Sequence, residues 1–204
     1  MAKPIEDQPG SAMHIHQSVE DIATGKNIFS NRDGSRSEAF LSYIGGLQTH
    51  LPSVVLILAP YVNSYRRLVP GSAAPINLEW GPDNRTVGLR EPVSEPDARR
   101  IENRVGGMDA NPYLAFAATL ACGYLGLCEG IQPRDPVSRD AYELPHSLPR
   151  SVLNAASLFE EADKIHGILG KDFSELFLAI KKSELDEYQQ VISPWERQHL
   201  MLTV

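Results

Sequence analysis

Seven arginines, Arg66, Arg67, Arg85, Arg90, Arg99, Arg100 and Arg104, fall between positions 66 and 104 with no lysine among them. A guanidinium group keeps its proton and presents a flat, two-pronged set of donors that matches carboxylate and phosphate oxygens. The rest of the chain is acidic: 26 Asp plus Glu stand against 19 Lys plus Arg, for a formal net charge of -7. Cations gathered this closely repel one another unless anions, or metal-bound anions, lie between them. The chemistry expected is the handling of several anionic groups at once.

Two alternating patterns add to this. His14 and His16 flank Ile15, and Arg100, Glu102 and Arg104 are spaced two apart. Alternate residues of a strand face the same way, so each set shares one face. His14 with Glu102 makes a mixed nitrogen and oxygen half-site for a divalent ion, incomplete because Mg or Mn favours further carboxylates. Plainer readings exist. Histidines two apart often have ordinary half-buried partners, and edge strands carry charge to block aggregation. Arg67, Arg85 and Arg90, all near the ends of elements, weigh against the edge-strand reading.

The elements that must position these groups follow from pattern. Ala12 to Ser18 reads as a strand, and Gly25, Asn31 and Gly34 punctuate a loop. Ser35-Arg36-Ser37-Glu38 fits a capping box, with a helix to about Thr49, an interruption at Pro52 and a second helix from Ser53 to Leu58. Pro70 to Pro75 is a loop of small residues between prolines, a connection or a flap over a site. Ile76 to Trp80 and Thr86 to Arg90 read as short strands joined by a turn at Gly81 to Asn84, and Arg99 to Asn103 as a third. Asn111 and Pro112 open a helix that Gly130 ends, apolar nearly all round and so expected to be buried. Pro133 to Pro149 connects it to a helical remainder. There Phe173, Leu176, Phe177 and Ile180 form a stripe, and Ser193-Pro194-Trp195-Glu196 caps a last helix. Strands early and helices late favour an α+β fold, one domain over 1–204 with antiparallel strands and packed helices.

Composition narrows the class. At 204 residues and 42% hydrophobic, the chain can bury a core. Its acidity argues against nucleic acid as a partner. The longest apolar run, Val54 to Ala59, is far short of a membrane span. Cys122 and Cys128 fit neither a zinc knuckle nor a redox pair and read as small core residues of a cytoplasmic protein.

Four motifs carry a resemblance. They are Gly10-Ser11-Ala12-Met13-His14-Ile15-His16, Asn63-Ser64-Tyr65-Arg66-Arg67-Leu68-Val69-Pro70-Gly71, Asn84-Arg85-Thr86-Val87-Gly88-Leu89-Arg90, and Arg99-Arg100-Ile101-Glu102-Asn103-Arg104 with Ala110-Asn111-Pro112-Tyr113 after it. In this order and spacing the chain resembles the catalytic domain of glutamine synthetase, with its glutamine synthetase/guanido kinase-like fold. The resemblance implies an ATP-dependent ligase that joins an amine to the γ-carboxylate of L-glutamate through γ-glutamyl phosphate, using Mg2+ or Mn2+. It implies that His14 and Glu102 are metal ligands and that His16, Arg90 and Arg100 contact ATP. Gly10, Arg67 and Arg104 would hold glutamate. Arg85 would be catalytic, near both glutamate and the transferring phosphoryl group.

Three departures refine the expectation. Ala73 stands where the family's flap carries a glutamate that helps deprotonate ammonium. Pro9 stands where ammonia-using members carry an asparagine. Both features resemble the γ-glutamyl-polyamine or γ-glutamyl-monoamine synthetase branch. Third, the family's N-terminal β-grasp domain and most metal-binding glutamates lie upstream of the motif on which this chain begins, so the expectation is the C-terminal part of such an enzyme, inactive alone. Family members assemble as homo-oligomeric rings with sites between subunits, which implies the same here at full length. Tyr142 falls where some bacterial members are adenylylated, and we read it as an ordinary loop tyrosine. The rival readings are an ammonia-using glutamine synthetase and a non-catalytic module that binds nucleotide or assists assembly.

Overall fold

A computed structural model describes residues 1–203; Val204 lies outside the described residues. The elements run β1 (Ile15–Gln17), α1 (Glu38–Leu58), a 3-10 turn (Val62–Arg66), β2 (Trp80–Pro82), β3 (Leu89–Glu91), β4 (Ile101–Asn103), α2 (Pro112–Glu129), α3 (Val152–Glu160), α4 (Asp163–Leu169), α5 (Lys171–Gln189) and α6 (Pro194–Leu200). This is the α+β class expected, with helices alone after β4, although α1 intervenes between β1 and β2.

The sheet order is β1-β4-β3-β2. β4 pairs antiparallel with both β1 and β3, but β2 and β3 are parallel, Trp80 opposite Leu89. The expected turn at Gly81 to Asn84 therefore does not close an antiparallel pair. Asn84 is drawn away, donating from Nδ2 to the carbonyls of Val137 at 3.0 Å and Arg139 at 2.9 Å. The chain swings wide and re-enters the sheet in its original direction.

The inner face of the sheet follows from register. Ile15, Asn103, Leu89 and Trp80 form one row across all four strands, each 5% exposed or less. Asn103 is a polar member of that row, and it donates to Thr119 Oγ1 of α2 at 3.2 Å. This bond fixes β4 to the helix layer at the level of Glu102.

α1 is one helix, not two. Ser37, rather than Ser35, caps it by accepting from the Phe40 amide, and it continues through Pro52. Proline removes only its own donor and crowds one carbonyl. Burial of Leu51, Val54 and Val55 at 0% exposure outweighs that local cost. α1 is long and apolar enough to cross a membrane, yet 72% of its apolar window is buried within the fold, as in a core helix.

α2 begins at Asn111 and Pro112 and ends at Gly130, as expected. It packs on α1 through small residues. A Cβ on Gly46 would lie 2.5 Å from the Gly126 Cα, so the two backbones touch where neither has a side chain. The expectation that α2 is buried all round is corrected. Tyr113, Phe116, Leu120 and Tyr124 are exposed on its far side, because one close helix partner covers only one face. Cys122 is buried and Cys128 exposed, so only the first is a core residue. The α5 stripe is likewise divided: Phe177 packs edge-on against Phe159 at 5.6 Å, while Leu176 and Ile180 are exposed. α6 carries the full capping box of Ser193 and Glu196.

Candidate active site

On the outer face of the sheet, register sets a second row. His16 lies opposite Glu102, Glu102 opposite Arg90, and Arg90 opposite Gly81. Residues directly opposite share a face. His14 therefore joins from two residues before His16, and Arg100 and Arg104 from either side of Glu102. β4 is an interior strand, so its charged face is not an aggregation guard.

Glu102 is the hub of this face, 2% exposed. It accepts from Arg90 at 2.8 Å and from Arg104 at 2.9 Å, and His14 Nδ1 lies 2.9 Å from its Oε1. Arg90 also pairs with Asp83. Burial pushes the Glu102 carboxyl up, but hydrogen bonds from His14 and Arg90 and the charges of Arg104 and His14 outweigh it and bring it down to about 2. The group is an anion throughout the physiological range.

The imidazole nitrogen of His14 and the carboxylate oxygen of Glu102 form a nitrogen and oxygen pair suited to a divalent ion. No group of three or more His, Cys, Asp or Glu converges among the described residues. A six-coordinate shell around such an ion would need further donors beyond this pair. His16 accepts from Arg100 Nε at 3.3 Å. Burial lowers its pKa, Glu102 opposes this, and Arg100, His14 and Arg90 lower it further.

Arg67 and Arg104 are the buried members of the arginine cluster, 2% and 7% exposed. Arg67 donates to the Val105 carbonyl. Burial lowers it to about 10, with Asp109 opposing and Arg104 reinforcing, so it stays charged at neutral pH. The Nε groups of Arg67 and Arg104 have no partner. A buried donor left unpaired costs about 1–3 kcal/mol, and an incoming anion would recover it. Gly10 rests on the Arg67 stem: a Cβ there would stand 2.9 Å from Arg67 Cγ and 2.6 Å from the Ala2 carbonyl oxygen. Only glycine allows that approach.

The remaining arginines separate. Arg85 is exposed on the loop between β2 and β3. Arg100 is half-buried at the rim. Arg99 points away and braces the 29–36 loop through Ser30, Gly34 and Ser35. Arg66 is exposed and lines a different groove with Tyr188. The arginine cluster is thus several groups: Arg90, Arg100 and Arg104 stand on the outer face with Arg67 near Arg104, and Arg66, Arg85 and Arg99 lie apart.

Sequence reasoning passed over Asp83 and Asp109 here, and it read Tyr142 as an ordinary loop tyrosine with no partner named. Asp83 shares Arg90 with Glu102. Asp109 Oδ2 accepts from Ser64 Oγ at 2.9 Å and from the Ala2 amide at 3.1 Å, tying together the segments that bear Arg67 and Gly10. Tyr142 donates its hydroxyl to the Ala74 carbonyl at 2.9 Å. Asp83 and Asp109 lie in loops and Tyr142 in a 3-10 turn (Ala141–Glu143), where no periodicity marks a partner. Ala73 itself has φ 63, a left-handed conformation unusual for a residue with a Cβ. A 280 Å³ cavity between Tyr61 and Tyr188 touches none of the outer-face residues, so the site is marked by its charged groups on an open sheet face rather than by depth.

Comparison with known proteins bears on this arrangement. The family profile described as glutamine synthetase, catalytic domain, matches residues 1–200. A glutamine synthetase of Methanocaldococcus jannaschii is 36% identical over 96% of this chain and 45% of its own length. A glutamate–isopropylamine ligase of a Pseudomonas species is 36% identical over 96% of this chain and 44% of its own. The gamma-glutamylputrescine synthetase PuuA of Escherichia coli is 38% identical over 96% and 42%. The solved structure of ligand-free GmaS superposes with a TM-score of 0.87 at 31% identity, covering 99% of this chain and 47% of that one. The chain spans less than half the length of the curated relatives it matches.

Proposed function

The chain belongs to the glutamine synthetase family of carbon–nitrogen ligases, and from that premise we propose that its outer sheet face serves a glutamate–amine ligase acting through γ-glutamyl phosphate. The supporting observation is the pair of buried, under-used guanidinium groups of Arg67 and Arg104 beside the contact of His14 with Glu102.

In this reading Arg67 and Arg104 grip the glutamate carboxylates, with Gly10 close against Arg67. Arg90 and Arg100 hold nucleotide phosphates, His16 contacts ATP, and Arg85 swings in toward glutamate and the transferring phosphoryl group. A carboxylate attacking a triphosphate brings like charges together. Fixed guanidinium groups offset that repulsion, most strongly as negative charge moves in the transition state. A divalent ion, held by His14 and Glu102 with donors from outside these residues, would supply further charge neutralisation. Amine attack on the acyl phosphate then forms the amide and releases phosphate. Two protein donors do not complete a metal shell, so the chain by itself should bind Mg2+ or Mn2+ and ATP weakly and catalyse nothing.

The acceptor we favour is an organic amine larger than ammonia. Ala73 offers no carboxylate in the flap, and Pro9 precedes Gly10. Relatives bearing isopropylamine and putrescine in their names stand among the matches, although ammonia ligases do too. The test is phosphate release by the complete enzyme with glutamate, ATP, Mg2+ and a panel of amines. Turnover with an alkylamine or diamine exceeding that with ammonia is expected. Turnover with ammonia alone would refute the amine assignment and favour the glutamine synthetase activity. Ala73→Glu should shift preference toward ammonia.

A further inference from the structure

The segment Val137–Glu143 touches both loops that flank the arginine face. Toward the loop carrying Arg85, Val137 and Arg139 take the Asn84 amide, as described above, and the Ala141 amide donates to Thr86 Oγ1 at 2.8 Å. Thr86 Oγ1 in turn donates to Asn84 Oδ1 at 2.7 Å. Toward the loop Pro70–Pro75, the buried Asn77 donates to the Ala141 carbonyl at 2.8 Å, and the Tyr142 hydroxyl reaches the Ala74 carbonyl. Asp140 fixes the Tyr142 backbone by accepting its amide at 2.9 Å.

The Pro70–Pro75 loop needs such ties. Ala73 holds a left-handed backbone that its methyl disfavours. On one side of it, Ser72 Oγ lies 2.5 Å from the Arg67 carbonyl oxygen and 2.7 Å from that of Val69, with one proton to donate between them. On the other, Ala74 is held by Tyr142. Two hydroxyls thus clamp the loop around its strained residue, one from within the loop and one from a remote segment. Burial pushes the Tyr142 phenol up, Arg104 pulls it down and Asp140 pushes it up.

We propose that Tyr142 is a positioning residue: its hydroxyl sets the Pro70–Pro75 loop against the arginine face, and the Val137–Glu143 segment couples that loop to the one bearing Arg85. A consequence for amine selection rests on the ligase reading. The coupling itself does not. It requires only that loosening either attachment of the segment be felt in the Pro70–Pro75 loop.

The experiment is amide hydrogen exchange on the 204-residue chain without substrate, so that its failure is separable from failure of the ligase reading. Tyr142→Phe keeps the ring and removes the donor. Exchange across residues 71–75 should rise about fivefold, the size expected for one lost hydrogen bond, with α1 unchanged. Thr86→Val removes the acceptor for Ala141 at the far attachment, and exchange in the same 71–75 loop should rise about twofold by partial transmission. Wild-type exchange in the loop of either variant, or a rise shared equally by α1, would overturn the proposal.

Discussion

Glu91 and Glu102 sit on neighbouring strands, nearly sealed from solvent at 8% and 2% exposure, and each is held by two guanidinium groups. Glu91 accepts from Arg36 Nε at 2.8 Å and forms ion pairs with Arg36 Nη2 at 2.7 Å and Arg99 Nε at 3.2 Å. Those cations have little left over. Arg99 spends its other donors on Ser30, Gly34 and Ser35 and covers the Phe40 ring at 5.9 Å, while Arg36 covers Trp80 at 5.3 Å. Around Glu102, by contrast, Arg104 keeps an unpaired Nε, nearby Arg67 keeps another, and His14 faces solvent. Both clusters are built on one buried carboxylate between two guanidinium groups. Donor capacity held in reserve is what separates a site from a brace.

The largest effect should come from the brace. Glu91→Gln leaves two cations facing each other, and because Arg36 is partly exposed we expect the low end of the range for broken buried pairs, a loss of about 3 kcal/mol in urea unfolding. An unchanged midpoint would mean that Glu91 is no brace. Next is anion rescue. Phosphate at a hundredfold excess over its Kd should stabilise the wild-type chain by about 2.7 kcal/mol in thermal or urea melts. Arg67→Met and Arg104→Met should abolish that gain, whereas Arg99→Met should lower the baseline and keep it. Equal phosphate gain in all three variants would erase the distinction drawn here. The smallest effect is in pH. The Glu102 carboxyl titrates lower in the folded chain than its ordinary 4.5, at about 2. The unfolded chain therefore takes up the proton first on acidification. The stability this carboxylate contributes is present above the ordinary value and drains away as pH falls from about 4.5 toward 2. Glu102→Gln should flatten the stability–pH curve in that window, and an unaltered slope would show that Glu102 is not held as described.

The charged face was legible because strand alternation is a local rule. Knowing that Arg100, Glu102 and Arg104 lie two apart suffices to put them together, and His14 met Glu102 as expected. The helix signals at Asn111, Pro112, Gly130 and Ser193 are local as well and came out in place. What was not legible depended on distant partners. The direction of β3 is decided by Asn84 reaching Val137. The persistence of α1 through Pro52 is decided by burial on both sides of it. The assignment of Arg99 to the brace depends on Glu91, a residue on another strand that alternation does not connect to it. The exposure of one face of α2 depends on how many neighbours arrive, which hydrophobicity alone does not record.

The row from His16 through Glu102 to Arg90 has a kinetic consequence. Its members come from strands that are remote in the chain: β1 pairs with β4 across α1, β2 and β3. Closing such long intervals is entropically slow compared with forming helices. During synthesis the histidines therefore leave the ribosome long before their carboxylate, and for that interval two imidazoles and a growing set of guanidinium groups lack the anion that will reconcile them. The anion-binding face should be among the last features of the fold to mature, after α1 and α2 have docked.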